Sequence, residues 1–220
     1  MGLFNIAVVS DKNSWISPYV QDLRQKLESQ GHTVFYANNF DNIRGFDIVF
    51  ILSFSRIITE RQLKQNTHNL VVHESALPHG KGWSPLTWQI LEGKESFPIT
   101  LFEAAPRVDS GKIYLQKDLH FTGTELVDDL REIQGSATVE LCMEFVSGYD
   151  TIVKNAHEQN GLESFYPRRT PKDSEMDEKK SIAEQFNLLR VVDNEKYPAF
   201  FIHGGCTYIL KIYKGCKEDE

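Results

Sequence analysis

Two side chains suited to group-transfer chemistry lie just beyond predicted β-strands. His73 closes a β-branched run at 70–72, and the carboxylate of Glu74 follows it directly. Asp109 lies after a second predicted strand at 99–102. An imidazole can donate a hydrogen bond to a developing oxyanion, and a nearby aspartate can tune its charge. The pattern therefore predicts a site at which an oxyanion is stabilised.

Both residues also have a structural interpretation. A lone histidine at a strand end is more often structural than catalytic. Asp109 stands just before Ser110-Gly111, as a turn residue would. The glycine-rich loop 78–82 favours a functional histidine, whereas spacing alone leaves the two interpretations of Asp109 evenly balanced. If the two strands are parallel, both side chains emerge at the same sheet edge.

The first fifty residues predict the sheet that would position these side chains. Apolar runs at 3–9, 32–37 and 46–52 are typical of strands, and residues 15–29 show helical periodicity. Strand, helix and strand in that order predict a parallel sheet with right-handed crossovers. No GxGxxG follows the first strand, so a dinucleotide cofactor is not expected at the loop 10–14.

The remaining chain predicts flanking helices and a small C-terminal unit. Further helices are expected at 60–64, 86–92, 122–146 and 181–192, and two hairpin strands at 197–202 and 206–213. Residues 150–180 are polar and charged, which is typical of an exposed loop or linker. We therefore expect an α/β fold with a Rossmann-like, mostly parallel sheet and flanking helices, plus a small C-terminal helix and β-hairpin subdomain. We expect a catalytic domain at 1–150, followed by a linker and a small C-terminal subdomain at 151–220.

Composition excludes several classes of protein. A net charge of −7 over 220 residues gives no basic surface for nucleic acid. The three cysteines, Cys142, Cys206 and Cys216, have no metal-binding spacing and indicate free thiols in a reducing compartment. No apolar run is long enough to cross a bilayer, and no signal-peptide pattern opens the chain. We expect a cytoplasmic protein without a metal and without membrane or nucleic-acid partners.

One stretch of the chain resembles a known family. The residues His73-Glu-Ser-Ala-Leu-Pro78, then Gly80-Lys-Gly82 and Pro85, then Val108-Asp-Ser-Gly111 are similar to the signature of the folate-dependent formyltransferases. That family includes methionyl-tRNA, glycinamide ribonucleotide and nucleotide-sugar N-formyltransferases. Its pattern is Asn-x-His-x-Ser-x-Leu-Pro, with an acid before a glycine further on. Segments 168–177 and 189–192 resemble the sugar-modifying branch.

The resemblance implies a donor and roles for the two central residues. N10-formyltetrahydrofolate would supply the formyl group. His73 would stabilise the oxyanion of the tetrahedral intermediate, and Asp109 would take up the proton of the attacking amine and help to orient the donor. The folate would lie between the loops 56–58 and 103–109, and its expected contacts are Arg56, Ile58, Leu77, Ala104 and Asp109.

The sequence departs from the family pattern at one catalytic position. The family asparagine falls on Val71, whose side chain cannot donate a hydrogen bond. The loss of one oxyanion donor costs about 2.7–4 kcal/mol in other enzymes. We expect a substitute donor, either Asn69, Ser75, Glu74 or a backbone amide.

The acceptor is expected to be a nucleotide-linked amino deoxy sugar of a surface or flagellar glycan pathway. Its candidate contacts are Glu74, Lys81, Trp83, Arg168 and Arg169, although the tryptophan could be core and the arginines a solvated charge run. Four alternatives remain: a catalytically weak folate-binding or regulatory homologue, formyl transfer to another small amine, hydrolysis of formyl-folate, and a generic nucleotide-binding Rossmann protein, which the missing glycine fingerprint opposes. The C-terminal hairpin has an edge that could pair with a second copy to form a homodimer.

Overall fold

The structure, a computed structural model, describes residues 2–215, and Cys216 lies outside this range. Within it the main strands are β1 (Asn5–Val9), β2 (Thr33–Ala37), β3 (Ile48–Ile51), β4 (His68–His73), β6 (Ser96–Glu103) and β7 (Ile113–His120), with short strands β5 (Lys81–Gly82) and β8 (Phe165–Tyr166) and a hairpin of β9 (Ala199–His203) and β10 (Cys206–Leu210). The α-helices are α1 (Ser17–Ser29), α2 (Glu60–Leu63), α3 (Pro85–Leu91), α4 (Val127–Ser147), α5 (Tyr149–Lys154) and α6 (Phe186–Val191).

The central sheet has six strands in the order β2-β1-β3-β4-β6-β7. The first four strands are parallel, and β6 and β7 each run antiparallel to their neighbour. The four residues Ile6–Val9 of β1 are fully buried, because helices or loops cover both faces of the sheet. The predicted Rossmann-like, mostly parallel sheet with flanking helices is confirmed.

Helices α1 and α4 cover one face of the sheet. Val20, Leu23 and Leu27 recur at helical spacing and form the buried stripe of α1. The longer α4 contributes residues such as Phe145, which is fully buried against the sheet. The opposite face carries a second cluster, which includes Val49 and Ile51 of β3.

The expected parallel relation between the strands before His73 and Asp109 is wrong. Strand β6 is antiparallel to β4, with Thr100 opposite His73 and Glu103 opposite Leu70. The carboxyl end of β6 therefore lies beside the middle of β4 and cannot deliver Asp109 to the sheet edge. The loop after β6 has to fold back along β4 to bring this side chain to the histidine.

Other elements also differ from expectation. Strand β7 was not predicted, because its centre reads Gln116-Lys117-Asp118 and it therefore lacks an apolar run. The helix expected at 181–192 is a 3-10 turn at Ala183–Gln185 followed by the short α6. A further 3-10 turn lies at Pro171–Ser174.

The C-terminal residues have a small apolar cluster of their own. Met176, Leu189, Val192 and Ala199 are buried together. Among residues 2–215, no helix is long and apolar enough to span a membrane. In the same range, no group of three or more His, Cys, Asp or Glu side chains is arranged to hold a metal ion.

Candidate active site

A cavity of about 690 Å³ opens at the carboxyl ends of β3 and β4. It lies beside the switch point of the sheet, where the chain passes from the β1–β2 pair to β3 on the other side of β1, which is where open α/β sheets bind ligands. The loops 53–58 and 104–109 line one part, which we call the loop side. Helix α4 and the segments 168–174 and 193–197 line the other part, which we call the helix side.

His73 is fixed at the wall of this cavity. Its side chain is 7% exposed, and its Nε2 lies 2.8 Å from the carbonyl oxygen of Gly80 and 3.9 Å from Oδ2 of Asp109. Because a carbonyl oxygen can only accept a hydrogen bond, Nε2 carries a proton in this arrangement. The imidazole therefore presents an N–H donor next to a carboxylate.

The loop after β6 holds Asp109 in place. Its backbone is left-handed, with φ of 50°, and its Oδ2 accepts a hydrogen bond of 2.9 Å from the backbone N–H of Gly82. The amide of Gln159 donates to the carbonyl oxygens of Asp109 and Gly111, both at 2.9 Å. A Cβ on Gly111 would lie 1.8 Å from the carbonyl oxygen of Glu103, so only glycine fits this close approach.

The segment predicted as a linker contributes to the site. Its strand β8 pairs with β5, so that Lys81 lies opposite Phe165 and Gly82 opposite Tyr166. Further bonds run from the Lys81 N–H to the Ser164 carbonyl at 2.9 Å and from the Trp83 N–H to the Tyr166 carbonyl at 3.1 Å. Residues 164–166 therefore hold the glycine-rich loop against the histidine.

The loop side of the cavity is mostly apolar. Ile58, Val71 and Ala104 line it and pack against the cluster on this face of the sheet. Arg56 lies at its edge, where its guanidinium donates to the Asn38 carbonyl oxygen at 3.2 Å. Three of the predicted folate contacts, Arg56, Ile58 and Ala104, therefore lie in one place.

The helix side contains a buried carboxyl group. Glu74 is 9% exposed, and its Oε1 accepts a 2.5 Å hydrogen bond from Nε2 of Gln134 on α4. Burial raises the pKa of the Glu74 carboxyl, while His73 and the Gln134 hydrogen bond act in the opposite direction. Glu74 also lines the cavity, so this proton-binding group faces the same space as His73 and Asp109.

Positive side chains lie further out on the helix side. The guanidinium carbon of Arg168 is 4.8 Å from the centre of the Trp83 ring, a cation–π contact. Arg169 donates to the Asp173 carbonyl oxygen at 2.8 Å, and its Nε has no hydrogen-bond partner among the described residues. Burial lowers the pKa of Arg169. Both arginines line the cavity and could contact an anionic group.

A third arginine of the helix side, Arg131, is neutralised by an ion pair with Asp193. Nη2 of Arg131 lies 2.7 Å from Oδ2 of Asp193. Burial alone would raise the pKa of Asp193, but the hydrogen bonds from Arg131 and from two backbone amides lower it to about 2. This pair therefore stays ionised and forms a polar wall.

Asn69 is not in the cavity, which corrects its assignment as a substitute donor. It is 3% exposed, and its amide donates to the Leu63 carbonyl at 2.9 Å and accepts from Asn66 at 3.2 Å. Val71 occupies the cavity wall two residues later on the same face of β4. Both polar atoms of Asn69 are engaged in the loop beneath, so neither can reach an oxyanion.

Ser75 also lies outside the cavity lining. It is 1% exposed, and its Oγ has no hydrogen-bond partner among the described residues. A Cβ on Gly80 would lie 3.4 Å from this oxygen, so the hydroxyl points towards the glycine-rich loop. The expected role of Ser75 as an oxyanion donor is therefore not supported by its position.

Leu77 and Lys81 are corrected as ligand contacts. Leu77 packs in a small core cluster with Phe102 and Ile113. Lys81 is 1% exposed, and its Nζ is bound at 2.7 Å to Oε1 of Glu163, away from the cavity. Both residues fix the loop between β4 and α3 and do not face the space where ligands would bind.

Several residues of the cavity were not predicted. They are the polar side chains of the helix side and one supporting amide: Gln134, Thr138, Arg131, Asp193, Tyr197 and Gln159. A signal existed for Gln134 and Thr138, because they interrupt the apolar stripe of α4 one turn apart. The others reach the site only through the tertiary fold.

Two known proteins match this chain over most of its length. The chain is 25% identical over 211 residues, 87% of its length, to the bifunctional polymyxin resistance protein ArnA of Wigglesworthia glossinidia brevipalpis. It is 24% identical over 160 residues, 72% of its length, to methionyl-tRNA formyltransferase of Thermotoga neapolitana. The chain spans only 30% and 51% of the lengths of these two relatives.

Solved structures share the fold at lower identity. Methionyl-tRNA formyltransferase from Clostridium thermocellum matches with a TM-score of 0.77 and 21% identity, over 98% of this chain and 95% of that one. HypX from Aquifex aeolicus in complex with tetrahydrofolic acid has a TM-score of 0.79 and 16% identity, over 96% of this chain and 38% of that one. A sugar N-formyltransferase from Shewanella sp. has a TM-score of 0.72 and 14% identity, over 99% of this chain and 100% of that one.

The family model described as Formyl transferase matches residues 5–141, which is more than half of the chain and contains β4, the glycine-rich loop and Asp109. The chain therefore belongs to the formyl transferase family.

Proposed function

We propose that this chain transfers a formyl group from N10-formyltetrahydrofolate to the amino group of a nucleotide-linked amino deoxy sugar, in the biosynthesis of a surface or flagellar glycan. One observation carries the proposal. His73 Nε2 and Asp109 Oδ2 lie 3.9 Å apart in a single cavity that has an apolar loop side and a polar helix side. Two different substrates could meet at this pair from the two sides.

The loop side fits the formyl donor. Ile58, Val71 and Ala104 offer apolar surface to a flat ring system. The loop backbones at 53–58 and 104–109 supply carbonyl and N–H groups that can hydrogen-bond a pterin. The similarity in fold to HypX in complex with tetrahydrofolic acid supports this placement. Arg56 lies at the edge of this surface and could contact a carboxylate of the donor.

The residues at the centre can perform the transfer. The folate supplies the formyl group when it is bound. His73 donates its N–H to the formyl oxygen as negative charge develops there, and this bond replaces the one to Gly80. Asp109 takes the proton from the attacking nitrogen, directly or through a water molecule. Holding both substrates in one cavity contributes up to ~7–11 kcal/mol in the best intramolecular cases.

The helix side supports a nucleotide-linked acceptor. Arg168 and Arg169 place two guanidinium groups where a diphosphate could bind, and the exposed Trp83 offers a stacking face. The match in fold over the full length of a sugar N-formyltransferase agrees with this choice. The net charge of −7 opposes a tRNA acceptor.

A second candidate function rests on Val71. This residue lines the cavity at the position of the family asparagine, so one oxyanion donor is missing. A catalytically weak folate-binding homologue would bind formyl-folate and fail to transfer it to any amine. Formyl transfer to another small amine is distinguished by the acceptor screen below.

We also propose how the rest of the chain contributes. Residues 1–150 would form the catalytic domain, and 151–220 would contain the linker and small subdomain with its own apolar cluster. The β9–β10 hairpin exposes Ile202, Tyr208 and Ile209 and could join two copies as a homodimer. Cys206 is exposed and forms no disulfide within residues 2–215, and we propose a cytoplasmic location.

The proposal is tested by a thermal-shift screen of UDP-, dTDP-, GDP- and CMP-linked amino deoxy sugars, and of free small amines, with and without formyl-folate. We expect one of the nucleotide-linked amino sugars to raise the Tm of the protein strongly. The same compound should be formylated when formyl-folate is also present. Stabilisation by folate alone, with no formylated product from any amine, would favour the folate-binding homologue.

A further inference from the structure

The helix side contains an acid–base group that the steps above do not use. Glu74 follows His73 directly, lines the cavity and is 9% exposed. Its carboxyl group accepts a hydrogen bond of 2.5 Å from the Gln134 amide and is also stabilised by its own backbone N–H, and it forms no salt bridge within residues 2–215. Buried charged carboxylates are normally paired with a cation, so a carboxyl group whose hydrogen-bond partners are all neutral, at a cavity wall, is suited to receive a cationic ligand.

The proposed reaction requires this kind of group. An amino sugar at neutral pH is mainly an ammonium ion, which has no lone pair and cannot attack. The nitrogen must lose one proton before it attacks the formyl carbon and a second proton afterwards. Asp109 accounts for one of these two protons, and its Oδ2 is already bound to the backbone N–H of Gly82 at 2.9 Å.

We infer, on the basis of the proposed function, that Glu74 binds the ammonium group of the acceptor and takes the proton that leaves before attack. In this step one N–H bond of the ammonium breaks, and the proton binds to the Glu74 carboxylate. The amine lone pair then forms the new bond to the formyl carbon, and Asp109 receives the second proton. As the old bond from carbon to the folate nitrogen breaks, Asp109 returns that proton to the nitrogen, and Glu74 releases the first proton to solvent.

The groups around Glu74 agree with this role. His73 from β4 and Asp109 from its loop are the ionisable groups that act on its charge, with opposite signs. The α4 neighbour Gln134 is neutral, and Arg131 one turn earlier is bonded to Asp193 at 2.7 Å. The α3 residue Gln89 donates to the Glu74 carbonyl oxygen at 2.6 Å and not to the carboxyl group. Among these neighbours, none therefore forms a salt bridge with the Glu74 carboxyl group.

The position of Glu74 also distinguishes it from an oxyanion donor. It turns towards Gln134 on the α4 face of the sheet, whereas His73 and Val71 line the wall near Phe102 on the other face. An acceptor held by Arg168 and Arg169 would approach along the helix side. The carboxyl group is thus on the acceptor side of the cavity.

The variant Glu74→Gln tests this inference, because an amide can keep the hydrogen bond to Gln134 but cannot take a proton. With the best acceptor from the panel of nucleotide-linked amino sugars, we expect kcat/KM near pH 7 to fall by about 100-fold or more. The loss should shrink as pH rises, because the free amine then becomes abundant without enzymatic deprotonation. Glu74→Asp should recover part of the rate at pH 7.

A binding measurement provides a readout that does not depend on turnover. Without folate, the wild-type protein should bind the amino sugar nucleotide more tightly than the same compound with a hydroxyl group in place of the amine, by roughly tenfold. Glu74→Gln should abolish this preference while leaving the affinity for the hydroxy compound unchanged. The control is Glu140→Gln, the same chemical change on the exposed side of α4, where the carboxylate pairs with Lys117.

The outcomes separate the two levels of the argument. Formyl transfer by the wild type with an unchanged pH profile and unchanged amine preference in Glu74→Gln would overturn the role of Glu74 and leave the proposed function standing. Absence of transfer to every compound of the panel, with the wild type folded and folate bound, would contradict the proposed function and the role of Glu74 together.

Discussion

At the scale of single residues, hydrogen bonds to the backbone fix the two central side chains of the site. His73 and Asp109 are held by backbone groups of the glycine-rich loop, from Gly80 and Gly82 respectively. Since these partners belong to the backbone, side-chain mutations elsewhere cannot remove them without moving the loop. This organisation suits a site that must place two reacting groups accurately.

The first residue-scale prediction concerns the stability of the protein against pH. Burial raises the pKa of Glu74 in the folded state, so its ionisation disfavours folding. As pH rises from the ordinary pKa of a glutamate through the raised pKa of Glu74 in the folded state, the free energy of unfolding of the wild type should fall. That of Glu74→Gln should not change for this reason, because its amide does not ionise. The Tm of the variant minus that of the wild type should therefore increase with pH and then level off. We would measure both by calorimetry, and a constant difference across pH would contradict the burial argument.

Residue identity could be predicted from the sequence only in part. His73, Asp109 and Glu74 were identified because their motif is local and because it resembles a family signature. Asn69 was misassigned, because strand periodicity shows that residues 69, 71 and 73 share a face but does not show how far the cavity extends along it. Asn69 lies beneath that wall, bonded to Leu63 and Asn66.

At the scale of elements, the pairing of β5 with β8 holds the site together. A Cβ on Gly82 would lie 2.5 Å from the Tyr166 carbonyl oxygen, and its φ is +97°. Gly82→Ala should therefore separate the two strands, weaken the N–H bond to Asp109 and lower the free energy of unfolding by about 1–3 kcal/mol. We expect kcat to fall as well, because the carboxylate loses its anchor.

The matched control for this prediction is Gly93→Ala. Gly93 has a similar φ of +81°, but an added Cβ would meet nothing within 4 Å. The control should show the cost of backbone strain alone and leave kcat unchanged. Equal effects of the two substitutions on kcat would show that the β5–β8 contact does not position Asp109.

The order of elements was more predictable than their directions. The apolar runs at β1, β2 and β3 and the long stripe of α4 follow from hydrophobic periodicity. The antiparallel direction of β6 does not follow from this periodicity. It depends on whether the connection through β5 and α3 returns to the starting end of the sheet before β6 begins or stays at the end where β4 finishes. The pairing of residues 164–166 with β5 also could not be predicted, because this segment lies in a polar stretch without the apolar periodicity of a strand.

At the scale of the whole molecule, a buried ion pair joins two parts of the chain, helix α6 and the turn that precedes α4. Nη2 of Arg190 on α6 lies 2.9 Å from Oε2 of Glu125, and its Nε donates to the Glu125 carbonyl at 3.1 Å. Burial alone would raise the pKa of Glu125, but hydrogen bonds from Thr122 and the neighbouring backbone lower it to about 2. The carboxylate is therefore ionised at all ordinary pH values.

Removal of one partner should be costly. Arg190→Met would leave the Glu125 charge buried and partly unpaired, with an expected loss of about 3–5 kcal/mol in the free energy of unfolding. Urea denaturation at pH 7 would measure it. Lys211→Met, which removes an exposed pair with Glu195, is the control and should cost less than about 1 kcal/mol. A loss for Arg190→Met as small as that of the control would show that the pair does not join the two parts.

The central claim is that His73 and Asp109 act together to move a formyl group onto an amine. The most direct test is a single-turnover reaction of the wild type, His73→Ala and Asp109→Asn with formyl-folate and the best acceptor of the panel, with product identified by mass spectrometry. We predict formylated acceptor from the wild type and a rate lower by about 10²–10³ or more in each variant, with folded structure retained. Wild-type rates in either variant, or release of formate without any formylated amine, would contradict the account.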